Sequence, residues 1–477
     1  GDVITSGRNA GGLVGGVSFK NTIIGSTATG DVTTDGANTQ PRSFAGGLIS
    51  RNSGGVIRNS RATGDVTGFR RVGGLAGDND DQAQIINSSA TGDVSGSENV
   101  GGLVGINIDG GQITQSTASG DVTGVGRVDR SGTDRPNNQI GGLAGSNNNA
   151  TITNSTATGA VSGESESGGL VGLNVGGGVI FDSTATGQTS GSSFIGGAVG
   201  SNINSGSVIR NVTASGNVTA TDDTVGGVVG LNVNSTIRIA RASGDVTGTF
   251  RVGGLVGENA GTGIIRSVTA SGDLNATSDD GGVGGISGLN AGTIRNASAT
   301  GNITAGEFQN AGGLVGSNDG GTIQETFAVG SVSGKGDVGG LVGNNDGTVR
   351  QSYFDTQATN QKTSAGSATG LTTAQMQGQA ARTNMSGLDF DTTWTTTSEY
   401  PALRVLSETD ESAGSDDPIQ VDIDTSDLSG DGSESNPYQI SNVSELQAME
   451  DDLDANYTLV SDIDASQTAQ FNDGRGF

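Results

Sequence analysis

A short glycine-rich phrase recurs along this chain, and this repeat restricts the fold more than any other feature. The phrase Gly-Gly-Leu-Val-Gly, with small variations, begins at Gly11, Gly46, Gly73, Gly101, Gly141, Gly168, Gly196, Gly226, Gly253, Gly284, Gly312 and Gly339. Between these phrases the consensus runs through GxIxNSTATG and DVTG, which are short β-compatible runs bounded by Gly, Asn or Asp. Because glycine and β-branched residues recur throughout, a helical repeat is excluded.

Three strands fit into one period, so the repeat predicts an all-β protein: a parallel β-solenoid of about twelve coils with three strands per coil. The coils are expected to stack about 4.8 Å apart, and the crossover rule favours a right-handed coil. The predicted inward columns are Leu103, Leu143 and Leu170; Ile113, Ile152 and Ile180; Ala118, Ala157 and Ala185; and Val94, Val122 and Val161.

An asparagine stands six residues after the first Gly of the phrase in nearly every coil. Its members are Asn52, Asn79, Asn107, Asn147, Asn174, Asn202, Asn232, Asn259, Asn290, Asn318 and Asn345. Amides stacked at the coil spacing can hydrogen-bond to one another, and Asn tolerates the left-handed backbone of a corner. We therefore predict a structural ladder rather than a binding site.

The repeat resembles the GLUG-motif family, whose members are large bacterial and archaeal surface proteins. The stretches Ser352–Asp355, Leu371–Met376 and Trp394–Leu403 look like the family's closing segment, and Gly430–Gly432, Asn436–Ile440 and Asp462–Asp464 look like its opening segment. This resemblance implies four parts: a solenoid over 1–351, a cap over 352–406, an acidic linker over 407–427 and the opening segment of a following solenoid over 428–477. It also implies a secreted or surface-attached protein, often an adhesin or a stalk.

Short helices are expected in the two capping segments. Thr372 with Gln375, and Asn442 with Glu445, have the spacing of a capping box. The second helix would carry an apolar stripe, packed against a coil end, of Val443, Leu446, Met449 and Leu453. The tyrosines and Trp394 of both segments are interpreted as the cores of these caps.

Composition excludes several kinds of chemistry. The chain has no Cys and no His, which removes thiol and imidazole catalysis, disulfides and ordinary zinc sites. No apolar run approaches the roughly 18 residues that span a bilayer. Since Gly1 is no initiator and no signal peptide precedes it, we expect a processed or excised piece of a longer protein. The net charge of −27 argues against nucleic acid as a partner.

The charge is also unevenly placed. Residues 407–477 hold 18 acidic side chains against the single Arg475, and the whole chain has only Lys20, Lys335 and Lys362 as lysines. A surface rich in Asp and poor in Lys is typical of a protein kept soluble in concentrated salt. We expect an extracellular or cell-surface location in a halophilic source.

Three sets of charged residues are candidate sites. An acidic column, for which a turn role is preferred over cation binding, comprises Asp31, Asp65, Asp93, Asp121, Asp245 and Asp273. Arginines at one position of four successive coils, expected on a solvated face or in contact with an acidic glycan, are Arg210, Arg238, Arg266 and Arg295. Two insertions at one corner, Thr33 to Ala45 and Val125 to Ile140, are the best contact candidates, the second carrying Arg127, Arg130 and Arg135.

No cofactor is expected. The one alternative is calcium at an EF-hand-like run formed by Asp422, Asp424, Asp427 and Asp431, although Ser433 stands where that loop requires Glu.

The leading functional hypothesis is a non-enzymatic structural or adhesive protein whose rods join head-to-tail or in tandem. The predicted assembly residues are Val3, Leu446, Met449, Leu453 and Phe477. Surface glycans are the other predicted partner. The alternatives are a carbohydrate-active β-helix enzyme and a tandem-domain slice with no assembly role.

Overall fold

Each glycine-rich period contributes strands to three parallel sheets, as the repeat predicts. The computed structural model describes residues 1–5, 9–18, 22–34, 43–125, 139–277, 281–307, 310–407, 430, 432–440, 446, 449, 455–460 and 463. The chain divides into two units, Gly1–Ser407 and Glu408–Phe477. The first unit is a parallel β-solenoid of about 11 turns. We number its coils 1 to 12, each starting at one of the Gly-Gly pairs.

Sheet 1 collects the DVT strands and the strands that enter each Gly-Gly pair. Its strands are Val3–Thr5, Asn9–Gly11, Val32–Thr34, Phe44–Gly46, Val66–Thr67, Arg70–Gly73, Val94–Gly96, Glu98–Gly101, Val122–Gly124, Ile140–Gly141, Val161–Gly168, Thr189–Gly196, Val218–Ala220, Val225–Gly226, Val246–Gly248, Arg251–Gly253, Leu274–Ala276, Gly282–Gly284, Ile303–Thr304, Asn310–Gly312, Val332–Ser333 and Val338–Gly339.

Sheet 2 holds the strand that leads to the asparagine position of each coil. Its strands are Val17–Ser18, Ile49–Ser53, Ala76–Asp80, Val104–Ile108, Ala144–Asn148, Val171–Val175, Val199–Ile203, Val229–Val233, Val256–Ala260, Ser287–Asn290, Val315–Asn318 and Val342–Asn345.

Sheet 3 holds the IxNS and TAT runs, which merge into one strand in coils 6 to 10. Its strands are Thr22–Ile24, Thr27–Ala28, Val56–Arg58, Arg61–Ala62, Gln84–Ile86, Ser89–Ala90, Gln112–Thr114, Thr117–Ala118, Thr151–Thr153, Thr156–Ala157, Val179–Ala185, Val208–Ala214, Thr236–Ala242, Ile264–Ala270, Thr293–Ala299, Thr322–Gln324, Phe327–Ala328, Thr348–Arg350, Tyr353–Asp355 and Thr369–Leu371.

The predicted inward columns are confirmed. Ile113 is in register with Ile152, and Ile152 with Ile180, all three fully buried. The alanine and valine columns stack in the same way, and the leucine column is linked by Leu103 N–H to Leu143 C=O and Leu143 N–H to Leu170 C=O. Aliphatic columns of Leu, Ile, Val and Ala fill the interior of the solenoid, which explains the low aromatic content of the chain.

A second, smaller core runs beside the main one, between the two arms of sheet 1. One arm is the stack of DVT strands, and the other is the stack of strands that enter the Gly-Gly pairs. It contains Val66, Val72, Val94 and Val100 towards the N-terminus, and Val218, Val225, Val246 and Val252 further along. The two halves are separated by Ser167 and Thr189, which are buried but polar. Among the described residues the Thr189 Oγ1 atom is buried without a hydrogen-bond partner.

The Gly-Gly pair is required because two walls meet there. A Cβ atom on Gly74 would collide with the carbonyl oxygen of Gly102 in the next coil and press on the Cβ of Ala90 in sheet 3. A Cβ on Gly73 would collide with the carbonyl oxygen of Ala76. The phrase that defines the repeat is therefore a steric requirement of backbone packing.

Residues after the last coil do two different things. Residues 359–371 bond to the final coil, for example through Ala365 N–H to Val342 C=O. The following segment packs instead on the outer side of sheet 3, where Trp394, Met376 and Leu403 cover the outward rings of Phe327 and Tyr353. It contains helices Thr373–Met376, Gly378–Asn384 and Arg404–Ser407, and the antiparallel strands Trp394–Thr395 and Ala402–Leu403.

The predicted capping box at Thr372 is present, because the Thr372 backbone N–H donates to Gln375 Oε1 at 2.9 Å. The segment 372–407, which packs on the outer side of sheet 3, extends back as far as coil 8. Arg241 donates a hydrogen bond to the Leu406 carbonyl oxygen, and Ile239 contacts the same apolar cluster. Ile239 has a φ of 53°, a strained conformation for a β-branched residue.

In the described residues of the second unit, strand Tyr438–Ile440 pairs in parallel with Tyr457–Leu459. Ile440 is fully buried there and is surrounded by the partly buried side chains of Tyr438, Leu446, Met449, Tyr457 and Ile463. The predicted capping box at Asn442 and Glu445 lies outside the described residues.

Candidate functional site

The asparagine column forms a continuous hydrogen-bonded ladder from coil 2 to coil 12. In every step the Nδ2 of one asparagine donates to the Oδ1 of the next, at 2.7 to 2.9 Å. The predicted members Asn107, Asn174, Asn202, Asn232 and Asn259 are all fully buried. The second Nδ2 hydrogen usually bonds to a backbone carbonyl a few residues on, as Asn174 does to Gly178 at 2.8 Å. The amides of the ladder thus bond to one another and to the backbone, in the stacked arrangement that the repeat predicts.

The ladder has a defined direction and a defined start. All amides donate towards the C-terminal coils, so the first acceptor, Asn52 Oδ1, needs a donor from coil 1. Position 17 is in register with Asn52, and it carries valine. Within the described part of the chain, Asn52 Oδ1 is buried without a hydrogen-bond partner.

The acidic column is exposed and bonds to backbone. The Asp65 carboxylate accepts the backbone N–H of Asp93 at 2.8 Å, and Asp93 accepts that of Asp121 at 2.9 Å. Asp31 and Asp245 do the same for the next coil. These contacts give each carboxylate a role in stacking the corner. Within the described ranges, no group of three or more acidic side chains is placed to hold a metal ion.

A serine column, which the sequence analysis did not single out, forms a third ladder. The backbone N–H of Ser60, Ser88, Ser116 and Ser155 each donates to the serine hydroxyl of the next coil at 3.2 Å. Each hydroxyl in turn donates to a carbonyl two residues earlier, as Ser116 does to Thr114 at 2.9 Å. The signal was present as the Ser that stands before the third-sheet run of coils 1 to 6, a position that Val212 takes in coil 7.

The arginine column is assembled as predicted, but its expected exposure is wrong for one member. Arg210, Arg238, Arg266 and Arg295 are in register across four coils of sheet 3. Arg238 is only 6% exposed, and the others are half-buried. Arg210 lies over the ring of Phe181 at 5.1 Å, and Arg295 Nε pairs with Glu325 at 3.4 Å. Long arginine stems stacked at the coil spacing cover one another, so the column is not a solvated face.

Several predicted site residues fall outside the described residues. These are the corner arginines Arg127, Arg130 and Arg135, the calcium candidates Asp422, Asp424, Asp427 and Asp431, and the assembly candidates Leu453 and Phe477. Of the other assembly candidates, Val3 is half-buried and in register with Val32, while Leu446 and Met449 pack around Ile440.

A buried charge cluster lies on the outer side of sheet 2 in coils 2 and 3. Asp78 is 1% exposed, and its Oδ2 lies 2.9 Å from Arg71 Nη1 and 3.6 Å from Arg51 Nε. Burial raises the pKa of Asp78 to about 6, and the two arginines oppose that rise. Among the described residues, its Oδ1 atom has no hydrogen-bond partner.

One cleft opens at the corner between the two arms of sheet 1. It has a volume of about 610 Å³ and is lined by Ser193, Thr221, Asp222, Asp223, Thr249 and Phe250. In coil 6 this corner is spanned by the unbroken strand Thr189–Gly196, whereas in coil 7 residues 221–224 separate two strands. That longer loop forms the wall of the cleft. It lies at the corner where the sequence places the insertions, although sequence reasoning did not single out these residues.

The ladders and the repeated register define the class of this protein: a parallel β-solenoid built from sequence repeats. The resemblance to the GLUG-motif family is confirmed, because the model of the GLUG motif matches residues 45–67, 70–95, 96–123, 136–162 and 248–275. No curated protein and no solved structure matches the chain. None of the helices in the described part of the chain is long and apolar enough to cross a membrane.

Proposed function

We propose that this protein is an extracellular structural or adhesive repeat protein, a stalk, surface fibre or filament subunit. The observation that supports this best is the asparagine ladder, which links every coil from 2 to 12 through buried amides. Together with the serine and aspartate ladders it holds the coils in one stack and leaves the sides of the stack as repetitive surface. A stack of this kind can carry a binding surface away from its point of attachment.

Assembly would proceed head-to-tail. Leu13 in coil 1 is 52% exposed, although Leu48 at the same position of coil 2 is fully buried. Ile4 and Ile24 in the same region are 75% and 51% exposed. A further coil laid on this edge would cover Leu13 and pair with the strands of coil 1. Ile4 and Ile24 are in register with Thr33 and Arg58 on the outer faces of their sheets. We propose that the segment 428–477 of another copy supplies that cover, a heterologous contact that propagates into a filament.

Electron microscopy of the intact chain and of a variant lacking residues 428–477 tests this assembly. The intact protein should form filaments at high concentration, and the deletion variant should remain as single folded rods. Separate rods from the intact chain would refute self-assembly and leave the tandem-domain alternative.

The proposed setting is outside the cell, at the surface of a halophilic organism. Support comes from the net charge of −27 and the presence of only three lysines. Residues 407–477 hold much of this charge and should repel one another when salt is removed. Limited proteolysis at low and high salt should therefore show faster cleavage within 407–477 at low salt. Equal rates would contradict the halophilic assignment.

The competing proposal is a carbohydrate-active enzyme on the same fold. Incubation with acidic polysaccharides separates the two, because the structural proposal expects no turnover. Release of reducing ends by the purified chain would overturn it. Under the structural proposal the partners are copies of the chain and surface glycans, with no nucleic acid and no cofactor.

A further inference from the structure

We infer that the cleft at the coil 6–8 corner binds a neutral hexose unit of a glycan. This inference rests on the proposed adhesive function and gives that function a site. The cleft is formed by three successive coils: Ser193 from coil 6, residues 221–223 from coil 7, and Thr249 and Phe250 from coil 8. Its volume of about 610 Å³ lies within the range of small-ligand sites.

The lining has the chemistry that sugars require. A hexose presents an apolar C–H face and a rim of hydroxyl groups. The half-buried ring of Phe250 supplies an apolar surface, and the Ser193 hydroxyl can donate and accept. The Thr221 and Thr249 hydroxyls donate to the Gly191 and Asp222 carbonyls and supply acceptors for the sugar. The carboxylates of Asp222 and Asp223 supply acceptors for sugar hydroxyls.

The cleft walls are held in place by their own contacts. The backbone N–H groups of Asp222 and Asp223 both donate to the Ser192 carbonyl, at 3.1 and 3.2 Å. Thr249 donates its hydroxyl hydrogen to the Asp222 carbonyl oxygen. Walls that are fixed before binding lose little conformational entropy when the ligand enters.

Charge at the cleft favours a neutral ligand over an anion or a metal ion. Asp222 and Asp223 would repel a uronate or a sulfated sugar. The Arg251 guanidinium lies 4.6 Å from the centre of the Phe250 ring, 3.8 Å from Asp223 and 2.9 Å from Glu258. Thr224 also donates to Asp223 Oδ1 at 3.1 Å. With Asp223 engaged in this way, the pair is a weak cation site and remains a suitable hydroxyl acceptor.

Saturation-transfer NMR on the full chain tests the site. The probes are the methyl glycosides of glucose, galactose, mannose and N-acetylglucosamine, with glucuronic acid and calcium chloride for comparison. At least one neutral glycoside should bind, and glucuronic acid should not. Phe250→Ala should weaken that binding about tenfold through loss of ring contact, and Asp222→Asn should weaken it several-fold without changing the melting temperature, because Asp222 is exposed.

Phe69→Ala is the matched control, because Phe69 lies at the same corner in coil 2 but outside the cleft. It should bind the glycosides as the unaltered chain does. The inference would be overturned if the chain bound calcium alone or no neutral glycoside. It would also be overturned if Phe250→Ala and Asp222→Asn bound the glycosides as tightly as the unaltered chain. Adhesion of the intact chain to glycan-coated surfaces separates the two proposals. If adhesion survives in Phe250→Ala, the site assignment fails alone; if the unaltered chain does not adhere, the adhesive function fails.

Discussion

Replacing Asn174 with leucine removes one rung from the middle of the amide ladder. In the folded protein Asn174 Nδ2 donates to Asn202 Oδ1 and to the Gly178 carbonyl, each at 2.8 Å, and its Oδ1 accepts from Asn147 at 2.8 Å. Leucine would leave Asn202 Oδ1, a buried acceptor, without its donor, while the Gly178 carbonyl would keep the backbone N–H of Val208 at 3.0 Å. Asn147 would keep its bond to the Ala150 carbonyl at 2.9 Å. Since one unsatisfied buried acceptor costs about 1–3 kcal/mol, the free energy of unfolding should fall by about that amount.

Urea unfolding followed by circular dichroism measures this loss, and native-state hydrogen exchange shows whether the weakened amides lie in coils 5 to 7. Thr186→Leu is the control, since Thr186 is an exposed residue of the same coil. Position along the ladder is a second test. Asn345 is the last rung, and among the described residues it donates to the Gly347 carbonyl and to no further amide, so Asn345→Leu should cost less than Asn174→Leu. Equal stability of Asn174→Leu and Thr186→Leu would refute the ladder as a stabilising element.

Three further substitutions test other parts of the stack. Val17→Asn should raise the free energy of unfolding by about 1 kcal/mol, by giving Asn52 Oδ1 its missing donor; an unchanged urea midpoint would contradict this. Thr189→Val should raise it by about 1–2 kcal/mol, because a buried hydroxyl without a described partner is replaced by an apolar group that joins the two halves of the second core; a lower urea midpoint would contradict that. Asp78 has a folded pKa of about 6 against 3.8, so its contribution is favourable at low pH and is lost as pH rises through that range, by about 3 kcal/mol in total. Urea melts at about pH 4 and pH 6.5 should show a smaller pH dependence in Asp78→Asn, and an identical dependence would refute the assignment.

The inward columns and the ladder were predictable because period alone determines them. Once Ile113 and Ile152 occupy equivalent places in two coils, parallel stacking at one register leaves no other partner for either. The same holds for the asparagines, which a one-residue slip would turn outward. The carboxylate column was also read correctly as a corner, since Gly-Asp favours a turn whatever lies beside it.

Features that depend on packing between elements were not predictable in this way. Nothing in the spacing of Val66 and Val72 shows that the two arms of sheet 1 face each other and enclose a second core. Arg238 lies on the outer face of sheet 3, and its burial depends on which neighbouring side chains cover it there. The segment around Trp394 was expected over a coil end, whereas it packs on the outer side of sheet 3, because the apolar surface that it covers comes from Phe327 and Tyr353.

The stacking of the coils has a mechanical consequence for a solenoid under load. The hydrogen bonds between coils lie along the rod, so a pull along the axis loads the stack one coil after another instead of shearing many bonds at once. One coil adds about 4.8 Å to the folded rod, but its chain of about 28 residues extends to roughly 90 Å when drawn out. A pulled solenoid would therefore lengthen stepwise about twentyfold, coil by coil, and absorb work at each step.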